Sequence, residues 1–370
     1  MTVRRLRLAD FRNYDALRIG IESRFVVLSG DNGAGKTNLL EAISLLSPGR
    51  GLRRATYGEI ARSAGGGGFS VEAELAGRDG PTTALTLVRP ALEAGPQRVL
   101  SLDGASGQPS EALLEHCRIL WLTPAMDGLF TGPAGDRRRF LDRLVLSLDP
   151  GHARRSSDYE KTMRGRNRLL SEDRREDAWL SGIERQMAEL GLAIALARAD
   201  TVARLRALGE RGETPFPAAD LRLDDGFDGL DLARPAVAVE DEIAERLRRG
   251  RPADRASGRT LEGPHRADLV VTHREKAMPA ALASTGEQKA LLIGLILSHA
   301  ELVGTASGLR PVLLLDEIAA HLDANRRAAL FDIVEALGVQ AFMTGTDAAL
   351  FDALAGRAQM LRVGAGRVET

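Results

Sequence analysis

Cysteine is nearly missing from this 370-residue chain: Cys117 stands alone. A single thiol closes no internal disulfide and builds no Cys-rich zinc site, and its isolation suits a reducing cytosol. Aromatics are also scarce, at 4% with 2 Trp and 3 Tyr. Few rings are therefore available to stack on single-stranded bases. An excess of one charge is absent too, since 50 Lys and Arg face 51 Asp and Glu for a net charge of -1. No global basicity advertises nucleic acid, so any phosphate contact must come from local clusters. No apolar run approaches the ~18 residues of a membrane span. The start, Met1-Thr2-Val3-Arg4-Arg5, alternates into a strand and has no signal-peptide core. The expected location is the cytoplasm. No internal repeat is found. What remains is an ordinary globular composition, 44% hydrophobic and 27% charged, in a chain long enough for two lobes.

Against that background two phosphate-handling segments stand out. Gly30-Asp31-Asn32-Gly33-Ala34-Gly35-Lys36-Thr37 fits the phosphate-loop pattern G-x-x-x-x-G-K-[ST]. Phe25-Val26-Val27-Leu28 before it reads as a buried parallel strand. The glycines allow a tight turn whose backbone N–H groups wrap phosphates, Lys36 reaches the β- and γ-phosphates, and the Thr37 hydroxyl binds Mg²⁺. Lys36 to Leu46 has helical spacing (Leu39, Leu40, Ile43, Leu46), so a helix N-terminus faces the same phosphates. The bland alternative is a Gly-rich surface turn.

The second segment, Val312-Leu313-Leu314-Leu315-Asp316-Glu317, is an apolar strand ending in two carboxylates. Asp316 is placed to hold the water shell of Mg²⁺, and Glu317 to orient or deprotonate an attacking water. A strand ending in a solvated acidic turn is the plain alternative. Upstream, Ser284-Thr285-Gly286-Glu287-Gln288-Lys289 opens a helix that runs apolar to Ala300. A hydroxyl at a helix N-terminus is a second anion site, useful for capping the nucleotide of another subunit. Ser284 with Glu287 also reads as a simple capping box. His321-Leu322-Asp323 would be the short loop that crosses a dimer interface. Together the segments predict an ATPase of the ABC type, in which two copies sandwich two nucleotides.

The fold class expected is α/β: a phosphate-loop mixed β core with an antiparallel β meander and an inserted helical lobe. Strands are read at Val3–Ala9, Leu17–Ile21, Phe25–Ser29, Phe69–Leu75, Thr82–Val88, Val99–Leu102 and Ile119–Leu122. Helical patterns follow over Arg137–Leu148, Tyr159–Leu170 and Asp177–Leu208, too short for long coiled-coil arms. Residues 212–235 read as loop or weak hairpin. The core resumes with Leu269–Val271, Ala341–Thr344 and Met360–Val363. The expected divisions are 1–135 and 261–370 for the two halves of the ATPase head, and 136–260 for the helical lobe.

The chain resembles the RecF family. Leu6-Arg7-Leu8-Ala9-Asp10-Phe11-Arg12-Asn13-Tyr14 carries its opening strand and turn, and Lys36-Thr37-Asn38-Leu39-Leu40-Glu41-Ala42-Ile43 its phosphate-loop helix. Gly49-Arg50-Gly51-Leu52-Arg53, Gly132-Pro133 with Arg137-Arg138-Arg139-Phe140-Leu141-Asp142, and Gly263-Pro264-His265-Arg266-Ala267-Asp268-Leu269 complete the set. Two departures are visible. Ala125-Met126-Asp127 follows Pro124 where family members often have an acidic pair, and Phe342-Met343-Thr344-Gly345-Thr346-Asp347 offers Thr344 where ABC transporters carry His. The resemblance implies an ATPase of recombinational DNA repair and replication. Such proteins dimerise on ATP, hydrolyse it slowly, and bind double-stranded DNA and the edges of gaps. With RecR and RecO they help RecA displace single-strand-binding protein. Arg12 is then expected to approach the phosphates.

For DNA, three arginine clusters are candidates: Arg50, Arg53 and Arg54; Arg137 to Arg139; and Arg164, Arg166 and Arg168. Each could line a groove for phosphates, or be a solvated face, or, for Arg137 to Arg139, pair with Asp136 and Asp142. Two further classes are weighed. A transporter's nucleotide-binding subunit shares the ATP sandwich but not the long separation of Lys36 from Asp316 or the helical insertion. A small-molecule kinase leaves Ser284–Lys289 without a role.

Overall fold

Alternating side chains build the first strands, Thr2–Phe11 (β1) and Tyr14–Gly20 (β2), and a short all-apolar stretch builds Phe25–Ser29 (β3). Lys36–Ser44 (α1) and Tyr57–Ile60 (α2) follow. Phe69–Ala76 (β4), Pro81–Arg89 (β5), Gln97–Leu102 (β6) and Ala105–Gln108 (β7) come next, then Leu113–His116 (α3) and Ile119–Leu122 (β8). In this computed structural model all residues are described except 78–79, 91–96, 173–176, 210–213 and 370. The chain divides into two units: Met1–Asp127 with Glu213–Pro217 and Ser284–Thr370, and Gly128–Gly212 with Ala218–Ala283.

The first unit holds two six-stranded sheets. One is the antiparallel meander β2-β1-β4-β5-β6-β7. β4 shows why it forms: every second residue of Phe69–Ala76 is buried, as a sheet with one face on the core requires. The other sheet uses the end of the chain. Thr285–Ser307 (α8), Val312–Leu315 (β12), Ala324–Leu337 (α9), Gln340–Gly345 (β13), Ala358–Gly364 (β14) and Arg367–Glu369 (β15) follow the four helices and three strands of the second unit. The order is β15-β14-β3-β13-β12-β8, parallel throughout except for the terminal β14–β15 hairpin. β3, β8, β12 and β13 are buried almost along their whole length, as a parallel sheet covered on both faces demands. By length and composition α8 could cross a bilayer, but 61% of its apolar window is buried inside the protein, where it serves as a core helix.

The second unit contains Ala134–Leu148 (α4), His152–Ser171 (α5), Asp177–Gly209 (α6) and Ala236–Ser257 (α7), with a small sheet β11-β10-β9 from Met278–Pro279 (β11), Asp268–His273 (β10) and Ala219–Asp224 (β9). The expected limits of 136 and 260 fall inside this unit. The reason is β-pairing: Asp268–His273 takes its partner from Ala219–Asp224, so the strand assigned by sequence to the head packs here. The loop or weak hairpin expected over 212–235, of which 212 and 213 lie outside the described residues, contains that strand. The sequence of α7 shows no clear helical rhythm, since its charge density and an internal Pro252 hide it.

Tyr159, Met187, Leu192, Val239, Ile243 and Leu247 form the apolar centre of this unit. Beside it a buried ion cluster ties helices together. Arg166 is 0% exposed and donates to Glu184 at 3.0 Å, Asp254 at 2.6 Å, Thr260 Oγ1 at 3.1 Å and the Leu247 carbonyl at 2.6 Å. Arg251 closes on Glu184 at 2.6 Å. Arg166 therefore leaves the list of DNA candidates, because its guanidinium is spent on α6 and α7. Breaking one side of a buried pair strands the other charge, at a cost of about 3–5 kcal/mol. Arg166→Ala is expected to lower unfolding free energy by that amount in urea titration, while the exposed Arg164→Ala leaves the midpoint unchanged. Equal midpoints for all three proteins would contradict this account of the cluster.

Candidate nucleotide-binding site

The site grows from the carboxyl ends of β3, β13 and β12, which lie side by side. After Ser29 the chain turns through Gly30 (φ 147°), Gly33 (φ 81°) and Gly35 (φ 114°), conformations L side chains rarely adopt. At Gly30 an added Cβ would lie 2.2 Å from the Val363 carbonyl oxygen, so glycine is obligatory there. Gly35 is the N-cap of α1. The Lys36 ammonium lies back across the loop, donating to the carbonyls of Gly30 at 2.6 Å and Asp31 at 2.8 Å. Asp31, Asn32 and Gly33 are exposed, and Ala34 partly so.

Asp316 follows β12 directly and is 5% exposed. Its Oδ1 accepts from two hydroxyls, Thr37 at 3.0 Å and Thr344 at 2.8 Å. The two phosphate-handling segments are thereby joined across 279 residues of chain. Burial raises the pKa of Asp316, and the hydrogen bonds from Thr344 and Thr37 work against that rise. Glu317 is partly exposed, adopts a left-handed backbone (φ 56°), and donates its N–H to Thr344 Oγ1 at 2.8 Å. One hydroxyl and one carboxylate are hard oxygen donors suited to Mg²⁺, which is held by one or two carboxylates together with substrate phosphates. Among the described residues no group of three or more His, Cys, Asp or Glu could hold a metal by itself. The donor set thus fits Mg²⁺ arriving with a nucleotide.

The turn after β1 braces this loop. Tyr14 OH donates to the Gly35 carbonyl at 3.1 Å, and Asn13 Nδ2 to the Ala34 carbonyl at 3.2 Å. Arg12, expected near the phosphates, is held in this same turn by Glu41 and Glu59. Its Nε and Nη2 grip both oxygens of Glu41 at 2.7 and 2.6 Å, and its Nη1 meets the Glu59 carbonyl at 2.7 Å. Glu41 is 0% exposed and also accepts from Arg53 at 3.2 Å. Glu41 was not chosen from sequence, although a carboxylate among Leu39, Leu40 and Ile43 is a readable signal of a buried ion pair.

The third segment forms the N-terminus of α8. Ser284 is the N-cap, and its capping box with Glu287 is complete: Glu287 N–H reaches Ser284 Oγ at 3.4 Å, and the Glu287 carboxylate accepts from Ser284 N and Oγ at 2.9 and 2.8 Å. Gly286 is exposed, with no atom within 4 Å of an added Cβ. Gln288 and Lys289 turn inward, Lys289 pairing with Asp127 at 3.0 Å. Asp323 caps α9 by accepting from Arg326 N at 2.9 Å. The side chain of His321 lies outside the described residues. Of the other arginine candidates, Arg137 binds Asp268 at 2.7 Å instead of Asp136 or Asp142, Arg138 donates to the Ala267 carbonyl at 2.7 Å, and Arg139 pairs with Asp136. Arg50, Arg54, Arg164 and Arg168 are exposed.

A family model described as RecF/RecN/SMC N terminal domain matches residues 2–365. A DNA replication and repair protein RecF from Mesorhizobium japonicum is 59% identical over 99% of this chain and 97% of its own length. The chain belongs to the RecF family. Its fold is similar to a solved recombination mediator protein RecF-ATPrS in RecFOR pathway, with a TM-score of 0.85 over 100% of this chain and 97% of that one at 22% identity. It is also similar to the Smc head domain of Pyrococcus furiosus, with a TM-score of 0.54 over 99% of this chain and 95% of that one at 14% identity. Family membership sets aside the transporter and kinase alternatives.

Gly35 gives a test of the loop. A Cβ there would lie 2.6 Å from Asn13 Nδ2 and 2.7 Å from Tyr14 OH, and left-handed strain on a non-glycine costs roughly 1–3 kcal/mol. Gly35→Ala is expected to lose stability of that order in denaturant titration and to weaken binding of a fluorescent ATP analogue. Unchanged stability would show that the brace yields without cost.

Proposed function

We propose that this chain is an ATP-gated DNA-binding protein of replication and recombinational repair, acting in the cytoplasm. The observation that carries the reading is the 3.0 Å bond from Thr37 Oγ1 to Asp316 Oδ1, which joins a phosphate loop to a carboxylate strand end. The names of the relatives support the link to DNA repair.

In this reading the backbone amides of Gly33 to Thr37, the α1 N-terminus and Lys36 bind the phosphates of ATP. Lys36 leaves the Gly30 and Asp31 carbonyls to do so. Thr37 and Asp316 would hold Mg²⁺, which would supply positive charge against the phosphate oxygens. Glu317 orients the attacking water and takes its proton. Hydrolysis is slow and resets the switch.

Ser284 and Gly286 cap the γ-phosphate held by a second copy, and Asp323 lies in the loop at that dimer interface. Gly286 supports this role. Glycine is a poorer helix former than alanine, and outside its own helical turn no neighbour of Gly286 requires one. The bare surface leaves room for close approach by a phosphate. The closed dimer grips double-stranded DNA and gap edges and works with RecR and RecO to load RecA.

Sedimentation velocity with and without MgATP tests the reading. The wild type is expected to dimerise only with ATP. Lys36→Ala should lose nucleotide binding. Ser284→Arg should bind ATP yet stay monomeric, and Gly286→Ala should unfold at slightly higher denaturant while dimerising more weakly. Normal ATP-dependent dimers of Ser284→Arg would remove the capping role.

A further inference from the structure

We infer that Thr344 is a positioning residue: a single hydroxyl that locks Asp316 and Glu317 together and so sets where both carboxylates stand. The inference rests on the ATP-hydrolysing reading above. Thr344 lies on β13, the strand between the phosphate-loop strand β3 and the carboxylate strand β12. In the parallel register Thr344 pairs with Leu28, and Leu315 pairs with Met343. The next residues along β12 and β13 are Asp316 and Thr344, so strand pairing itself delivers the hydroxyl to the carboxylate.

Its hydrogen bonding is fully determined. A threonine hydroxyl has one proton to give and lone pairs to accept. The proton goes to Asp316 Oδ1 at 2.8 Å, and the oxygen accepts the Glu317 N–H at 2.8 Å. Thr344 is 1% exposed, so bulk solvent has almost no access to either bond. A buried threonine on a strand usually satisfies its hydroxyl on nearby backbone alone; this one spans two groups of the candidate site. The bond to Glu317 also explains its backbone. A non-glycine residue at φ 56° is held only where its surroundings over-determine it. Capture of its N–H by Thr344 supplies that restraint, and the turn fixes the direction in which the Glu317 side chain leaves the strand end. Partners that orient the groups around a metal are typically worth roughly 10–100-fold in metal affinity or activity.

The test uses the full chain and the variants Thr344→Val, Thr344→Ser and Thr344→Ala. Valine keeps the branched shape and loses the hydroxyl; serine keeps the hydroxyl. Without nucleotide, amide hydrogen exchange at Glu317 is expected to be slow in wild type and Thr344→Ser and faster in Thr344→Val. With ATP, Thr344→Val is expected to need roughly 10–100-fold more Mg²⁺ for half-maximal response, or to show kcat lowered by the same factor. Its ATP affinity without Mg²⁺ should stay at the wild-type value, and Thr344→Ser should restore the Mg²⁺ response. Thr344→Ala replaces valine if that variant does not fold. Equal Glu317 exchange in all variants, or an unchanged Mg²⁺ response and kcat in Thr344→Val, overturns the inference. If the wild type binds no ATP, the ATP reading fails, and with it the role in hydrolysis. The exchange experiment still judges the lock by itself.

Discussion

The arrangement of the candidate site depends on one set of strand pairings, β3 with β13 and β13 with β12. Parallel pairing puts the carboxyl ends of these strands on one edge. There Gly30 begins the phosphate loop, Asp316 ends its strand, and Thr344 stands between them. The three elements come from distant parts of the chain. A one-residue slip would turn Thr344 to the opposite face of the sheet and remove both of its hydrogen bonds.

Around that edge, charge is used for placement as much as for chemistry. Glu41 is buried and holds Arg12 and Arg53, so the turn after β1 is fastened to the helix that follows the phosphate loop. Tyr14 and Asn13 then brace the loop from the same turn. In the second unit Arg166 does the equivalent work for α5, α6 and α7. A chain with a net charge of -1 thus spends several of its arginines internally, and the number left at the surface for a polyanion is smaller than the sequence suggests.

The legible parts were those whose signal is contiguous. The loop Gly30–Thr37 and the run Val312–Glu317 show their chemistry in a few residues, and β4 shows its alternation in eight. Pairings over long separations were not legible. Nothing near Arg166 announces that its partners are Glu184 and Asp254, and its helix pattern is too polar to mark a buried position. Residues 212–235 read as loop or weak hairpin because Pro, Gly and Asp crowd the stretch, and the strand β9 within it exists through its partner β10. Ser284–Glu287 carries two meanings in sequence: the capping box is present in the structure, and the phosphate-capping meaning is the one proposed for an ATP-bound dimer.

In the proposed function, nucleotide decides whether the protein holds DNA. Anisotropy of a labelled gapped duplex, at one fixed salt concentration, measures this directly with the Glu317→Gln protein. The account predicts that ATP tightens binding strongly and makes it steepen with protein concentration, as closure of a dimer requires. Equal binding with and without ATP would contradict it.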